Sequence, residues 1–462
     1  MAFRCSGWFQ GRRGGRTSTP ACDGENGMRA PAHPHVSAQP ATLAARGPTL
    51  VHLQHALLWI FLLSSWFVVV EPAPYEFLFV LAFLAFLPGG LLASIYTAPM
   101  ILFLIFYNIG GFLSSAQFTV LPPYVAEKAN RFVFISSYMA VTSVFFAMAA
   151  TARPERIAII VRNAWVIAAV IATLTGIIGY FDIAGMGAKW APIQRAQGTF
   201  KDPNVLSTYL VAPAVFLAQD FMLGGTRRLL LRGLALLVIL GGIFLAFSRG
   251  GWADTVGSFM LLALFTFITT TRPGLRRRIV MAAALLVVIG ALLLVILLSI
   301  PSVREIFLDR FTLLKSYDAG ETGRFANQMR SIPLLLERPL GFGPFGFSNR
   351  FGEDPHNVYV NAFSAYGWLG GISYFMLVFS TLAVGLRAVL IPAPWRRHAI
   401  AFFAPLTLII IQGFQIDTDH WRHFYLLLGM VWGLYAASEL WLQRQRRAAG
   451  MARAGNHAAP GP

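Results

Sequence analysis

His356 and Asn357, reached through Asp354-Pro355, are the neighbours in this chain best suited to acid–base work. An imidazole titrates close to neutrality, so it can accept a proton from an alcohol. Pro355 fixes the backbone ahead of the pair. Basic residues lie in the polar segments around them. Arg324 and Gln328 stand one helical turn apart upstream, Arg195 and Lys201 share an earlier segment, and Arg249 occupies a third. Guanidinium forks match phosphate oxygens in two-point contacts. A base among such forks suits displacement of a phosphate leaving group. The paired carboxylates of glycoside hydrolysis are then not required. Asp417 and Asp419, in the last polar segment, are placed to pair with these arginines. With Asp354, His356, His420 and His423 they also offer metal donors, but the spacing matches no compact site. No metal and no cofactor is expected.

Each segment also has a plainer reading. In Arg195 to Asn204, Gly198 permits a turn, Pro203 opens a helix, and Asp202 or Asn204 caps it. In Ser248-Arg249-Gly250-Gly251-Trp252 the glycines reverse the chain, and Arg249 either meets an anion or snorkels to the interface. In 323–336, Phe325, Met329, Ile332 and Leu336 recur at helical spacing, with Arg324, Asn327, Gln328 and Ser331 on another face. This predicts a short amphipathic helix on the bundle mouth, shortened or kinked at Pro333. The glycine-rich run 337–346 allows close backbone approach to a ligand and is weak evidence for phosphate contact.

These segments interrupt a chain built for lipid. Hydrophobic residues make up 56% and charged residues 12%. About twelve stretches are long and apolar enough to approach a bilayer span of about 20 residues. They run over 56–70, 77–93, 99–113, 132–150, 157–180, 205–221, 229–247, 252–269, 279–300, 358–388, 399–414 and 424–442. Period-two alternation is absent, which leaves helices as the way to satisfy the backbone in lipid. The expected fold is all-α: a polytopic membrane protein with a basic disordered tail over 1–50 and nine spans over 51–300. A large loop over 301–357, three more spans over 358–442 and a basic tail over 443–462 complete it. Met28 is an alternative start. Cys5 and Cys22 both lie in the first tail, so the bundle holds no disulfide framework.

The net charge of +17 is explained by topology rather than by nucleic acid. With twelve crossings, Arg153, Arg156 and Arg162, then Arg227 to Arg232, Arg272 to Arg278, Arg387 to Arg397 and the C-terminal arginines all fall on one side. The positive-inside rule makes that side cytoplasmic, with both termini. The segments with His356 and its arginines then face outward. Arg304, Arg310, Lys315, Arg330, Arg338 and Arg350 share that side. So many cations outside call for an anionic ligand.

The order of motifs resembles bacterial O-antigen ligases, and more loosely the O-antigen and exopolysaccharide polymerases. The resemblance is carried by Arg195 with Gly198-Thr199-Phe200 and Asp202-Pro203-Asn204, then Ser248-Arg249-Gly250 and Thr322-Gly323-Arg324. Pro339-Leu340-Gly341-Phe342-Gly343, His356-Asn357 and Gly367-Trp368-Leu369-Gly370 follow, so that it spans about 181–441. It implies a bundle of the lipid-dependent (GT-C-like) glycosyltransferase type in the bacterial inner membrane, with its active site in a large periplasmic loop. It implies transfer of a glycan from undecaprenyl diphosphate to an acceptor hydroxyl, on lipid A–core for a ligase or on another lipid-linked glycan for a polymerase. It also implies metal-independent chemistry, with His356 catalytic and Arg195 and Arg324 essential. Arg249 is expected to assist at the diphosphate, and Asn357, Gln328, Lys201, Asp417 and Asp419 to support the site or the acceptor.

Two rivals predict different residues. An ion-coupled transporter usually keeps ionisable groups near the bilayer midplane, where these spans have almost none. A non-catalytic scaffold gives no reason to gather arginines outside.

Overall fold

The computed structural model describes residues 48–457 except 71, 118–122, 225–228 and 312–322. Most of the expected N-terminal tail, Arg227, Arg228, Lys315 and Thr322 therefore lie outside the described residues. Within them the fold is all-helical. The helices are α1 (Pro48–Leu63), α2 (Pro74–Phe86), α3 (Ala98–Ser115), α4 (Pro123–Ala152), α5 (Pro154–Tyr180), α6 (Gly187–Trp190), α7 (Pro203–Leu223) and α8 (Leu229–Leu245). After them come α9 (Arg249–Ile268), α10 (Pro273–Leu298), α11 (Pro301–Phe311), α12 (Arg324–Leu336), α13 (Gly346–Phe351), α14 (Val358–Leu390), α15 (Arg396–Gln412) and α16 (Arg422–His457).

Every apolar stretch read from the sequence is occupied by a helix. Among the described residues nine helices are long and apolar enough to cross a membrane, and α2, α8 and α15 are shorter. The chain is a polytopic membrane protein. Proline at the first helical position starts α2, α5, α7 and α10, where its missing N–H costs no bond. The first helix begins at Pro48, ahead of the expected Ala56, and α16 continues past Leu442 to His457.

In the bundle, α3 lies along α14, α4 along α16, and α7 against α8 and α9. The α4–α16 contact needs a residue without a side chain: a Cβ at Gly433 would stand 2.5 Å from the Ala147 carbonyl oxygen. The most enclosed span is α7, with 83% of its apolar window buried, and α10 is the most peripheral, with 11%. Val287 and Val295 of α10 point outward, as lipid-facing residues should.

The loop 301–357 carries three helices where one was expected. Helix α12 follows the predicted range, but Pro333 does not cut it short; the helix runs on to Leu336. Pro333 and Met329 are both exposed, so the backbone group that loses its partner is not buried. The apolar Phe325, Met329, Ile332 and Leu336 face outward, and the polar Asn327, Gln328 and Ser331 are buried.

The expected continuous span over 358–388 is broken. Gly367 adopts φ 65° and ψ −170° inside α14. The break is filled by the glycine-rich loop: Phe342 and Gly343 N–H both donate to Ser364 O, at 2.8 and 3.0 Å, and Trp368 N–H donates to Pro339 O at 2.8 Å. A Cβ at Gly367 would stand 2.5 Å from Pro339 O. That loop mends α14, and these amides are engaged there instead of being offered to a phosphate.

Candidate active site

The segments expected on one face do meet. Ser114 Oγ donates to Leu340 O at 2.6 Å, joining the α3–α4 connection to the 301–357 loop. Arg195 Nε donates to Ala246 O at 2.8 Å, joining the α6–α7 segment to the α8–α9 turn. His356 N–H donates to Asp417 Oδ2 at 3.1 Å, joining the 301–357 loop to the α15–α16 connection.

His356 lies at the junction. It has φ 48°, a left-handed backbone conformation uncommon for a residue with a side chain. Asp417 holds it there. One carboxylate oxygen accepts the His356 N–H and the other the Asn357 N–H, at 3.0 Å. From the other side, Gln328 Nε2 donates to Pro355 O at 2.7 Å. Asn357 Oδ1 caps α14 by accepting from Tyr359 and Val360 N–H, and Asn357 Nδ2 donates to Gln328 Oε1 at 3.4 Å. Gln328 and Asn357 therefore shape the loop that presents His356.

The imidazole is half-buried, and that burial, followed by the charge of Arg324, holds its pKa below the usual histidine range. Asp354, Glu353 and Asp202 pull the other way. The balance leaves His356 neutral near pH 7, the form that can accept a proton. Burial, then the nearby Asp419 and Asp354, raises the Asp417 carboxyl well above the usual carboxylate range, against the two amide bonds it receives.

The arginines divide. Arg324, at the start of α12, donates to Gln415 O at 3.5 Å, packs its guanidinium over Phe325, and lies close enough to act on His356. Arg195, expected at the lip of the bundle, is only 6% exposed. Besides Ala246 O, its Nη2 donates to Asn204 Oδ1 at 2.9 Å, so it ties two turns together from beneath. Arg249 is the first residue of α9, whose cap is Ser248: the reversal read at 248–251 is the opening turn of a helix. Asp202 caps α7, as one of the two residues expected to. Lys201 is exposed and lies on the rim of a cavity of about 310 Å³.

Asp419 is buried and accepts from Tyr107 OH at 3.3 Å and Asn361 Nδ2 at 3.2 Å, with His420 Nδ1 3.3 Å away. With Asp354 and Asp417 it lines a second cavity of about 160 Å³, walled by Phe132, Phe345 and Trp421. Among the described residues no three His, Cys, Asp or Glu side chains converge as a metal cage. Sequence reading missed the break at Gly367, the clamp from Asp417 to two backbone amides, and the larger cavity. Only the glycine itself carried a signal for the first.

Residues 234–375 match the family model described as O-antigen ligase. That stretch is similar to the O-antigen ligase family. Arg249, Arg324, Gln328, His356 and Asn357 fall inside the matched stretch, and Arg195, Lys201, Asp417 and Asp419 outside it. The matched stretch is narrower than the span of motifs that first suggested the resemblance. No curated protein matches the chain.

Proposed function

We propose that this protein transfers a glycan from undecaprenyl diphosphate to an acceptor hydroxyl at the outer face of the bacterial inner membrane. His356 is the general base. The acceptor oxygen attacks the anomeric carbon, its proton passes to the imidazole, and the bond from that carbon to the diphosphate breaks with the electron pair leaving on phosphate. Arg324 and Arg249 balance the leaving charge, and Arg195 adds positive potential from below. Direct displacement inverts the anomeric centre. The reaction needs no metal ion.

The observation that carries this reading is the setting of His356: a left-handed backbone clamped by Asp417, with Arg324 favouring the neutral ring. Strained backbone persists where the surroundings over-determine it, and it gathers at functional sites. The gathering of Arg153, Arg162, Arg387 and Arg397 at the opposite end supports the sidedness. On this reading the connection 301–357 is the periplasmic loop, and the shorter α2, α8 and α15 complete about twelve crossings of the GT-C-like type.

The test is His356→Ala in membranes. A positioned histidine base contributes about 100- to 10,000-fold, so transfer should fall by that factor with expression unchanged. Near-normal transfer removes the base assignment. Glycan analysis of a deletion strain names the acceptor. Lipopolysaccharide without long chains, with lipid-linked polymer accumulating, means a ligase; accumulation of single repeat units means a polymerase.

A further inference from the structure

The larger cavity lies beside the His356 site rather than on it. It runs between the starts of α2, α7 and α16 and the middle of α4, and reaches Trp165 of α5. At His420 and Trp421 it adjoins the smaller, acid-lined cavity. Its volume, about 310 Å³, is that of a small-molecule site, and its wall is largely aromatic.

Four polar atoms of residues in that wall make no hydrogen bond to any described residue: Tyr138 OH, Trp165 Nε1, His423 Nε2 and Glu76 Oε2, whose sister oxygen pairs with Arg422. Trp165 and His423 are 1% and 5% exposed. Buried polar groups are nearly always paired, and the residues that carry these four come from four helices and line one cavity. Tyr209 OH, in the same wall, shows the usual state: it is 2.7 Å from Ser65 Oγ. The space therefore calls for an occupant that accepts from an indole N–H and pairs with a phenol and an imidazole.

A hydrocarbon tail would leave all four atoms unpaired. A sugar ring satisfies both demands. Its hydroxyls donate and accept, and its C–H face suits aromatic rings such as Tyr209 and Trp421. We infer that this chamber seats a glycosyl unit of a transfer substrate, with its hydroxyls on Tyr138, Trp165 and His423. The inference rests on the glycan-transfer reading above and gives the sugar its place. The rim connects with the base: Lys201 adjoins Asp202, whose charge reaches His356.

The donor glycan and the acceptor glycan are both sources of such a unit. The experiment uses the full-length protein in lipid nanodiscs. The probe is lipid-free oligosaccharide from the producing strain's lipopolysaccharide, separated into repeat-unit and core fractions and titrated by calorimetry. One fraction should bind. Tyr138→Phe and Trp165→Phe, which remove a polar atom and keep an aromatic ring, should each weaken it about tenfold. The matching substrate's KM should rise by a similar factor, with kcat within about twofold. Binding by the core fraction assigns the chamber to the acceptor, and binding by the repeat unit assigns it to the donor. Failure of both fractions to bind, or unchanged affinity and KM in both variants, overturns the inference. If Trp165→Phe fails to fold, Tyr138→Phe carries the test alone. Binding should persist in His356→Ala, so the chamber and the base assignment fail separately.

Discussion

At the end of the bundle that holds Arg162, Asp220 and His398, cations meet partners; at the end that holds His356, acid crowds acid and the backbone is bent out of its usual regions. Arg162 binds Asp220 at 2.9 Å and His398 Nδ1 at 3.3 Å. Arg397 binds Glu155 at 2.8 Å, Arg387 pairs with Glu439, and Gln219 holds the Arg397 carbonyl. At the other end Arg422 pairs with Glu76, but Asp417 lies near Asp419 and Asp354. Gln194, Phe247, Phe345 and His356 all adopt positive φ there, as do Asp182 and Ala184. The first arrangement is what stability alone would select. The second spends conformational energy to fix the position of a few groups, which makes sense only if that position is used.

Substitutions can break that contrast. The largest effect is expected at Gly367→Ala. The new Cβ would meet Pro339 O in a conformation that L-residues avoid, and the repair of α14 by the 339–343 loop should fail. The measurement is the yield of detergent-stable, monodisperse protein, which should collapse. Next comes Asp417→Ala, which removes the clamp on two amides of the loop. Transfer should fall about 100-fold, while the melting temperature moves by only a few degrees. Asp417→Asn keeps an acceptor for one amide and should recover part of the rate.

At the paired end the effect should be on stability alone. Arg162→Ala should cost on the order of 2–3 kcal/mol, less than the about 3–5 of a fully buried pair. Asp220 keeps 29% of its side chain exposed, which explains the discount. Transfer per folded molecule should be unchanged, and a selective loss of activity would erase the division between the ends. The smallest effect is expected at Arg324→Lys. It keeps the charge and loses the fork, so KM for the lipid-linked donor should rise about tenfold with little change in stability.

The sequence revealed the helices well because burial in lipid writes itself into long apolar runs. It also brought His356, Arg324 and the 415–422 segment to one face, because alternating crossings follow from counting spans. Side-chain roles were less legible. Arg195 read as a residue at the lip and is buried, bonded to Ala246 and Asn204. Asn357 read as a supporting or acceptor-binding residue, and its place as the cap of α14 was not legible. Both depend on which turn lies above which, and no periodicity encodes that. Trp165 and Tyr138 gave no signal, since an aromatic residue in a span looks like packing until its neighbours leave its polar atom unpaired. Arg249 read as part of a reversal because glycines usually break helices, yet here the first turn of α9 starts through them.

The most direct test is the pH dependence of kcat/KM for transfer, which reports the free enzyme's essential groups. Burial and Arg324 both hold the His356 imidazole below its ordinary pKa of 6.5. The rate should therefore stay level as pH falls through 6.5 and drop only below it, as the ring takes up its proton. In Arg324→Gln the residual activity should lose its acid limb at a higher pH, because a repelling charge has been removed. A wild-type limb above the ordinary histidine value, or one that stays in place in Arg324→Gln, would contradict a neutral His356 base set by its arginine neighbour.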